Sequence, residues 1–477
     1  MAFDTLKIFS RGLAWFIPYL LRTSLHTLYS IYHSWTYRST LNPKHIVVIG
    51  GSFAGLQLVK RLTQTIPTGY KVIWIEKNSH LNYVFAFPRF SVVQGFEARA
   101  FIPYTAVEAG APGGCLRKIQ GVVTGVLRGE EGGKVVLEGG EEVAFEYLVL
   151  ATGSTQPLPV QVSSTEREDA CKELQSVQSL IEESQTIAIL GGGAVGVELA
   201  SDIKDFHQDK EVTLVHSRDK LLNRFGPRLQ DHALTALRDE LGVRVLLGER
   251  PRLPSGGETS MARNARLVFK NGREEGFDLV VCFLSYRLLA FKLRESADAV
   301  LEQIGCTGQR PNSSILATAY PGSICDKSSR ILVQPTLQIL TNNISTASEA
   351  TTDPTPNRFE RVFALGDVAA HPGPLMARAG VTQSEIVVQN ILSLINGRPA
   401  KKIYKPNWFI EGAIKLTLGK THNAIYARDG SEKDIRGEVM IVSKKGKVDL
   451  DVGMAWRQYG VGKEFAKAKR GDVGLSA

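Results

Sequence analysis

Two glycine-rich turns, 141 residues apart, constrain this chain more than any other feature. The first lies in HIVVIGGSFAGLQL, residues 45–58, and the second in TIAILGGGAVGVELA, residues 186–200. In each, an apolar run suited to a buried strand ends in glycines and passes into a helix-compatible stretch. This is the pattern by which a βαβ unit seats a dinucleotide pyrophosphate on a helix N-terminus. One such turn is a weak signal. Two in one chain imply two dinucleotides held together, the arrangement that hydride transfer from a nicotinamide to a flavin requires.

Around the first turn, Gly50, Gly51 and Gly55 allow close approach by a pyrophosphate, Ser52 stands where the pattern has a second glycine, and Ala54 precedes Gly55. The strand KVIWIE then ends at Glu76, 26 residues beyond Gly50, where a carboxylate can accept from ribose hydroxyls. Around the second turn, Gly191, Gly193 and Gly196 keep the full spacing and Glu198 follows. Its second strand, EVTLVHSR, places His216 where an NAD-selective site would carry an acid, with Arg218 two residues on. Loss of that carboxylate removes repulsion of a 2′-phosphate, and a guanidinium can bind one, so NADPH use is expected beside NADH; the alternative is that Arg218 is only a solvated loop residue.

Two further segments read as cofactor edges. LVLATGS ends a strand in a small-residue turn containing Thr152 and Gly153. FALGDVA puts Gly366 and Asp367 at a strand end, just before a helix that begins near Met376. That helix would aim its positive end at the ring of a flavin, where reduction places negative charge. Between them, residues 119–150 alternate short β-prone runs with Gly-Glu turns and read as an antiparallel meander. ARLVFKNGREEGFDLVVCF reads as a hairpin turning at Asn-Gly, and residues 341–357 as a polar surface loop. The expected fold is α/β. It has two Rossmann-like dinucleotide-binding domains, the second inserted in the first, and a mostly β C-terminal cap of α+β type. Boundaries fall at 1–43 for an N-terminal segment, 44–160 and 331–400 for the outer domain, 161–330 for the inserted domain and 401–477 for the cap.

Charge belongs to the ends. Residues 1–44 hold five Lys/Arg against one acid and residues 401–477 hold sixteen against nine, whereas the middle carries 36 basic and 38 acidic residues. Such ends suit an anionic membrane surface or an import route better than nucleic-acid reading, and ordinary solvated lysines are the bland alternative. The N-terminus repeats Leu6, Phe9, Leu13, Phe16 and Leu20 at helical spacing, with Trp15, Tyr19, Tyr29, Tyr32, Trp35 and Tyr37 suited to a headgroup layer. Its uncharged run, Gly12 to Leu21, is ten residues and too short to span a bilayer. The expectation is a helix lying in the interface; a mitochondrial presequence and a helix packed on the protein's own core are the rivals. Expected locations are a mitochondrial membrane or the cytoplasmic face of an organelle or lipid droplet.

No residue stands out as a catalytic acid, base or nucleophile, and hydride transfer between cofactors demands none. Five separated cysteines and scattered histidines indicate neither a disulfide scaffold nor a metal site.

In order, GGSFAG, YVFAFPRFSVVQGFEARAFIPY (residues 83–104), ATGS, GGGAVGVE, CTGQRPN and ALGDVA resemble the two-dinucleotide flavoprotein family of pyridine-nucleotide oxidoreductases. Within it the chain is most similar to the apoptosis-inducing-factor-2 and ferroptosis-suppressor branch, relatives of type II NADH dehydrogenases. The resemblance, over roughly residues 44–477, implies FAD at Gly50, Gly55, Glu76, Arg89 and Asp367. It implies NAD(P)H at Gly191, Gly193, Gly196, Glu198 and Gly308. It also implies electron transfer to a quinone-type acceptor at a membrane. The alternative is a slow-turnover flavoprotein acting in signalling or interaction, as apoptosis-inducing factors do. Two departures stand out: Leu375 replaces a Lys before Met376, and 23 residues, 283–305, separate DLVVC from CTGQRPN. That stretch is either an inserted surface helix or translated non-coding sequence.

Overall fold

The computed structural model describes residues 2–252, 261–282, 310–340, 361–432 and 434–468. Its architecture follows from the alternation of buried side chains along one strand, Lys44–Ile49. Ile46 and Val48 face one layer and Val47 and Ile49 the other, as strand geometry dictates. This strand lies at the centre of a five-stranded parallel sheet, in the order Val362–Ala364, Tyr147–Leu150, Lys44–Ile49, Tyr70–Glu76, Leu116–Gln120. The first layer holds the helices Phe53–Thr63 and Ala377–Ile395, which contribute Leu58, Leu62, Val387 and Ile391. The second holds the expected meander of Val123–Gly129, Gly132–Leu137 and Glu142–Phe145, which contributes Val126, Val135 and Phe145.

The second five-stranded sheet has the order Arg244–Leu247, Glu211–His216, Thr186–Leu190, Glu274–Cys282, Met261–Val268. All of its pairings are parallel except the last, which is the expected hairpin. The chain leaves the first sheet after Tyr147–Leu150, builds the second, and returns to add Val362–Ala364. The return comes earlier than the boundary at 330. Arg310–Pro311 already pairs with Ser154–Thr155, and Leu316 and Tyr320 are buried in the core beneath the first sheet. Residues 283–305, Gly308 and the loop 341–357 lie outside the described residues.

The C-terminal strands Ile414–Leu418, His422–Asp429 and Arg436–Ser443 form an antiparallel sheet, followed by helices Val452–Gln458 and Gly462–Ala468. Phe409, Ala427 and Val439 of this segment form a small core of their own, against which Ile8 of the N-terminal helix packs, and the rest of the segment enters the two larger cores. Leu416, Leu418, Ala424 and Tyr426 enter the core of the second unit, whereas Val452, Ala455 and Trp456 enter that of the first. It braces the two units together.

The N-terminus is a single helix, Ala2–Thr36, that continues through Pro18. One face is tied to the body. Asp4 pairs with Arg228 at 2.5 Å, and Lys7 with Asp429 at 3.6 Å. Arg11 also pairs with Asp429 and covers the Phe409 ring. At the far end His33 bonds the carbonyl of Ile66 at 2.7 Å. The other face exposes fourteen large hydrophobic side chains, among them Leu6, Phe9, Leu13, Leu25 and Trp35, far beyond the scattered apolar residues of an ordinary surface. No helix among the described residues is long and apolar enough to cross a membrane.

Candidate functional site

Both glycine turns have the local form that binding a pyrophosphate requires. The helix Phe53–Thr63 starts at Ser52 and the helix Ala194–Phe206 at Gly193, and neither start has a side-chain cap. Their first backbone N–H groups therefore remain as donors, at the positive ends of the helix dipoles. Gly55 is forced by packing: a Cβ there would lie 2.1 Å from the carbonyl oxygen of Gly50. Gly50 has φ +106° and its Cβ would meet the Ala151 carbonyl at 2.3 Å. Gly193 differs, since nothing lies within 4 Å of its would-be Cβ. Its glycine keeps space open in front of the turn rather than permitting a close contact within the protein. Gly191 has φ +127°, and Gly196 is buried in the helix.

The acceptors at the ends of the two second strands do the same structural job with different charge. Glu76 accepts from the N–H of Gly51 through Oε2 and from the backbone and side chain of Asn78 at 2.8 Å through Oε1. Burial raises its pKa, opposed by those hydrogen bonds. At the matching place in the second unit, His216 Nδ1 accepts from the N–H of Gly192 at 3.1 Å. That leaves Nε2 to donate to Asn223 Oδ1 at 2.7 Å. Burial lowers the His216 pKa, so the ring is held neutral. Arg218 is exposed beside it.

The remaining motifs converge. Thr152 Oγ1 donates to the carbonyl of Asn312 at 2.8 Å, and Asn312 Nδ2 returns a bond to the carbonyl of Thr152 at 2.9 Å. Gly153 has φ +62° and open space around its Cα. Ser154 Oγ reaches Asp367 at 3.5 Å, and Gly366 N donates to Gln383 on the Ala377–Ile395 helix at 2.7 Å. Burial raises the Asp367 pKa, opposed first by Arg330 and also by Arg224 from the loop after the strand Glu211–His216. A Cβ at Gly366 would touch Ala54 at 3.5 Å, and one at Gly380 would lie 2.8 Å from it. Small residues at 54, 366 and 380 thus let the first-turn helix and the Ala377–Ile395 helix close on each other.

Two residues expected at cofactors are engaged within the protein. Arg89 is almost fully buried; its Nε bonds Asp202 at 2.8 Å and its Nη2 the carbonyl of Gly419 at 2.6 Å. It joins the first unit to the second-turn helix and the C-terminal sheet. Glu198 accepts from Thr417 through both the backbone N–H, at 3.1 Å, and the hydroxyl, at 3.3 Å. Burial pushes its carboxyl up to about 8, and nearby Asp202 adds to the shift. Gln383, Asn312, Thr417 and Tyr104, whose hydroxyl donates to the Gly51 carbonyl at 2.9 Å, lie outside the sequence-based expectations. Asn312 and Tyr104 fall in quoted motifs, the QRPN turn and the end of residues 83–104; Gln383 and Thr417 act across long sequence separations that no local motif records.

The family model for pyridine nucleotide-disulphide oxidoreductases matches residues 44–385. The chain belongs to this family. It is 33% identical over 443 residues to Fe-regulated protein 8 of Mycosarcoma maydis, covering 88% of this chain and 95% of that protein. It is 28% identical over 388 residues to ferroptosis suppressor protein 1 of Mus musculus, covering 80% and 87%. Its fold matches the sulfide:quinone oxidoreductase of Aquifex aeolicus with a TM-score of 0.60 at 15% identity, over 90% of this chain and 91% of that one. The protein is an NAD(P)H-dependent oxidoreductase, with FAD and NAD(P)H as its cofactors. Cys115, Cys171 and Cys325 are free thiols.

Glu198 generates a test. Its folded pKa lies above the unfolded value near 4.5, so its contribution to stability is fully present below about pH 4.5 and is lost as pH rises towards 8. Glu198→Gln, which imitates the protonated form, is expected to match the parent near pH 4.5 and to be the more stable at pH 8. Thermal midpoints across that range check it, and a difference independent of pH would refute it.

Proposed function

We propose that the protein passes electrons from NAD(P)H through FAD to a quinone-type acceptor at a membrane surface. The observation that carries this reading is the pair of uncapped, glycine-lined helix starts, one in each five-stranded sheet, with the mutually bonded Thr152 and Asn312 beside the first of them. In this reading Gly50, Gly51, Ser52, Ala54, Gly55, Glu76, Thr152, Gly153, Gly366 and Asp367 line the FAD site. Gly191, Gly193, Gly196, His216 and Arg218, with Gly308 beyond the described residues, serve NAD(P)H, while Glu198 holds Thr417 of the C-terminal sheet beside them. Bound FAD supplies the two-electron chemistry, accepting hydride and returning electrons to the acceptor.

The chain's own contribution is positional. The backbone N–H groups after Ser52 and Gly193 hold the two pyrophosphates, and Glu76 orients the ribose while fixing Gly51. Asp367, held by Ser154 and faced by Arg330, is available to ribitol hydroxyls. The start of the Ala377–Ile395 helix would present its positive dipole end to the ring of a bound flavin and would favour negative charge there. No Lys precedes Met376, and the helix dipole stands without that added charge.

A quinone is lipid-soluble, and the exposed apolar face of the N-terminal helix supplies the matching contact. A helix held along one face and bare along the other is the form of an interfacial helix that lies in the plane of the headgroups. The fold shared with a sulfide:quinone oxidoreductase is compatible with that acceptor. Stopped-flow mixing of the purified protein with NADPH should bleach the oxidised flavin absorbance, and a soluble quinone should restore it within turnover time. Reduction without quinone re-oxidation would favour the slow-turnover signalling alternative.

Two outcomes test the parts. Arg218→Ala should raise the KM for NADPH and leave NADH nearly unchanged. The lost charged hydrogen bond is worth about 1.5–3 kcal/mol, roughly ten- to a hundred-fold; equal effects on both nucleotides would remove Arg218 from the 2′-phosphate. Full-length protein should sediment with phosphatidylserine vesicles, and a chain starting at Asn42 should do so much less. Salt should weaken only the charged component, within a Debye length of about 8–10 Å. Equal sedimentation of the two chains would show that the helix has no membrane role.

A further inference from the structure

Arg89 leaves one part of its guanidinium unused. Nε and Nη2 are bonded to Asp202 and Gly419, but Nη1 has no hydrogen-bond partner, although the side chain is only 1% exposed. A buried guanidinium N–H without an acceptor is rare because its lost hydration is not replaced. Arg89 lines a small crevice whose other walls include Lys415, Lys420, His422 and Lys447, and no carboxylate lines it. Arg89 and Lys420 also sit over one aromatic ring. The Arg89 Cζ is 5.3 Å and the Lys420 Nζ 5.0 Å from the centroid of Phe206. Two cations are therefore gathered at one ring, and of the two only Arg89 has a carboxylate partner among the described residues, Asp202. Lys447 pairs with Asp451 at 2.5 Å, and Asp205 accepts from the backbone N–H of Lys420 at 2.6 Å. Neither acid lines the crevice, and Lys415 and Lys420 form no ion pair among the described residues.

We propose that this crevice binds a phosphate group, with Arg89 Nη1 as the buried donor and Lys415, Lys420 and Lys447 around it. The chemistry selects a tetrahedral oxyanion. Several acceptor oxygens on one centre can take the guanidinium N–H and the ammonium groups together, which a halide cannot. None of the residues that line it belongs to either dinucleotide turn, and it does not depend on the proposed acceptor. It stands where three segments meet: the helix Phe87–Phe90, the helix Ala194–Phe206 and the turn between Leu418 and His422. Occupancy therefore ties the first unit, the second unit and the C-terminal sheet more firmly to one another. It also lies at the end of the C-terminal sheet opposite Asp429 and Gly437, where the N-terminal helix is anchored. The phosphate can belong to a soluble compound or to a lipid headgroup.

The test uses the full-length, flavin-loaded protein. Inorganic phosphate should raise the thermal midpoint and give a calorimetric isotherm, compared with sodium chloride at equal ionic strength. Binding should be at least ten-fold weaker in Lys415→Gln/Lys420→Gln, whose substitutions leave the Arg89–Asp202 pair in place. It should be retained in Arg218→Ala, which excludes the nucleotide 2′-phosphate position as the source. Arg89→Lys, keeping charge but losing Nη1, should also weaken it. Phosphate that competes for phosphatidic acid vesicles but not for phosphatidylserine vesicles identifies a headgroup as the ligand; absence of competition identifies a soluble phosphate. Protection no greater than that by chloride, or undiminished in the double variant, or lost only in Arg218→Ala, would overturn the proposal.

Discussion

The close approach of backbone to backbone at the two strand-to-helix turns is the constraint on which the rest of the structure depends. A Cβ at Gly55 would lie 2.1 Å from the Gly50 carbonyl, so the helix Phe53–Thr63 can start against the strand Lys44–Ile49 only where position 55 has no side chain. That contact fixes the direction of the helix and, with it, the direction in which its uncapped N–H groups point. The same helix packs through Ala54 against Gly366 and Gly380, which brings the returning strand and the Ala377–Ile395 helix to the same edge of the sheet. A site assembled from residues more than three hundred positions apart is thus held by contacts between small residues.

The two units use one architecture with different electrostatics. Glu76 brings a carboxylate to the N–H of Gly51, and His216 brings a neutral imidazole to the N–H of Gly192. Each satisfies the same backbone donor, so the fold of the turn is kept while the charge beside it changes. Burial drives the carboxyls of Glu76, Glu198 and Asp367 upward, and at Asp367 the guanidinium of Arg330 opposes that shift from a neighbouring segment.

The C-terminal segment and the N-terminal helix give the assembly its outer form. The former carries Leu416 and Tyr426 into one core and Trp456 into the other, which couples the units through hydrophobic burial. Arg89 and Asp202 add a buried ion pair at the same junction, where Arg89 also bonds the Gly419 carbonyl. Such pairs contribute more to defining an arrangement than to net stability, since desolvation offsets much of the attraction. The N-terminal helix turns its polar face, Asp4, Lys7 and Arg11, to the body and leaves its apolar face outward, the reverse of a helix folded onto a core.

Much of this architecture is legible in the amino-acid sequence alone. The glycine spacing, the apolar runs and the alternation of residues 119–150 determined both sheets' central strands, the meander and the α/β class, because these depend on local sterics and on strand periodicity. The spacing to Glu76 and His216 likewise located the residues that meet Gly51 and Gly192. What only the tertiary structure decided involves distant partners. Glu198 meets Thr417, 219 positions away, and Arg89 meets Asp202 and Gly419. The return to the first unit by Arg310 rests on pairing with Ser154–Thr155, which no periodicity marks. Side-chain partners across such separations are chosen by packing of the whole chain, so residue type alone identified the groups capable of bonding and left the fold to assign their mates.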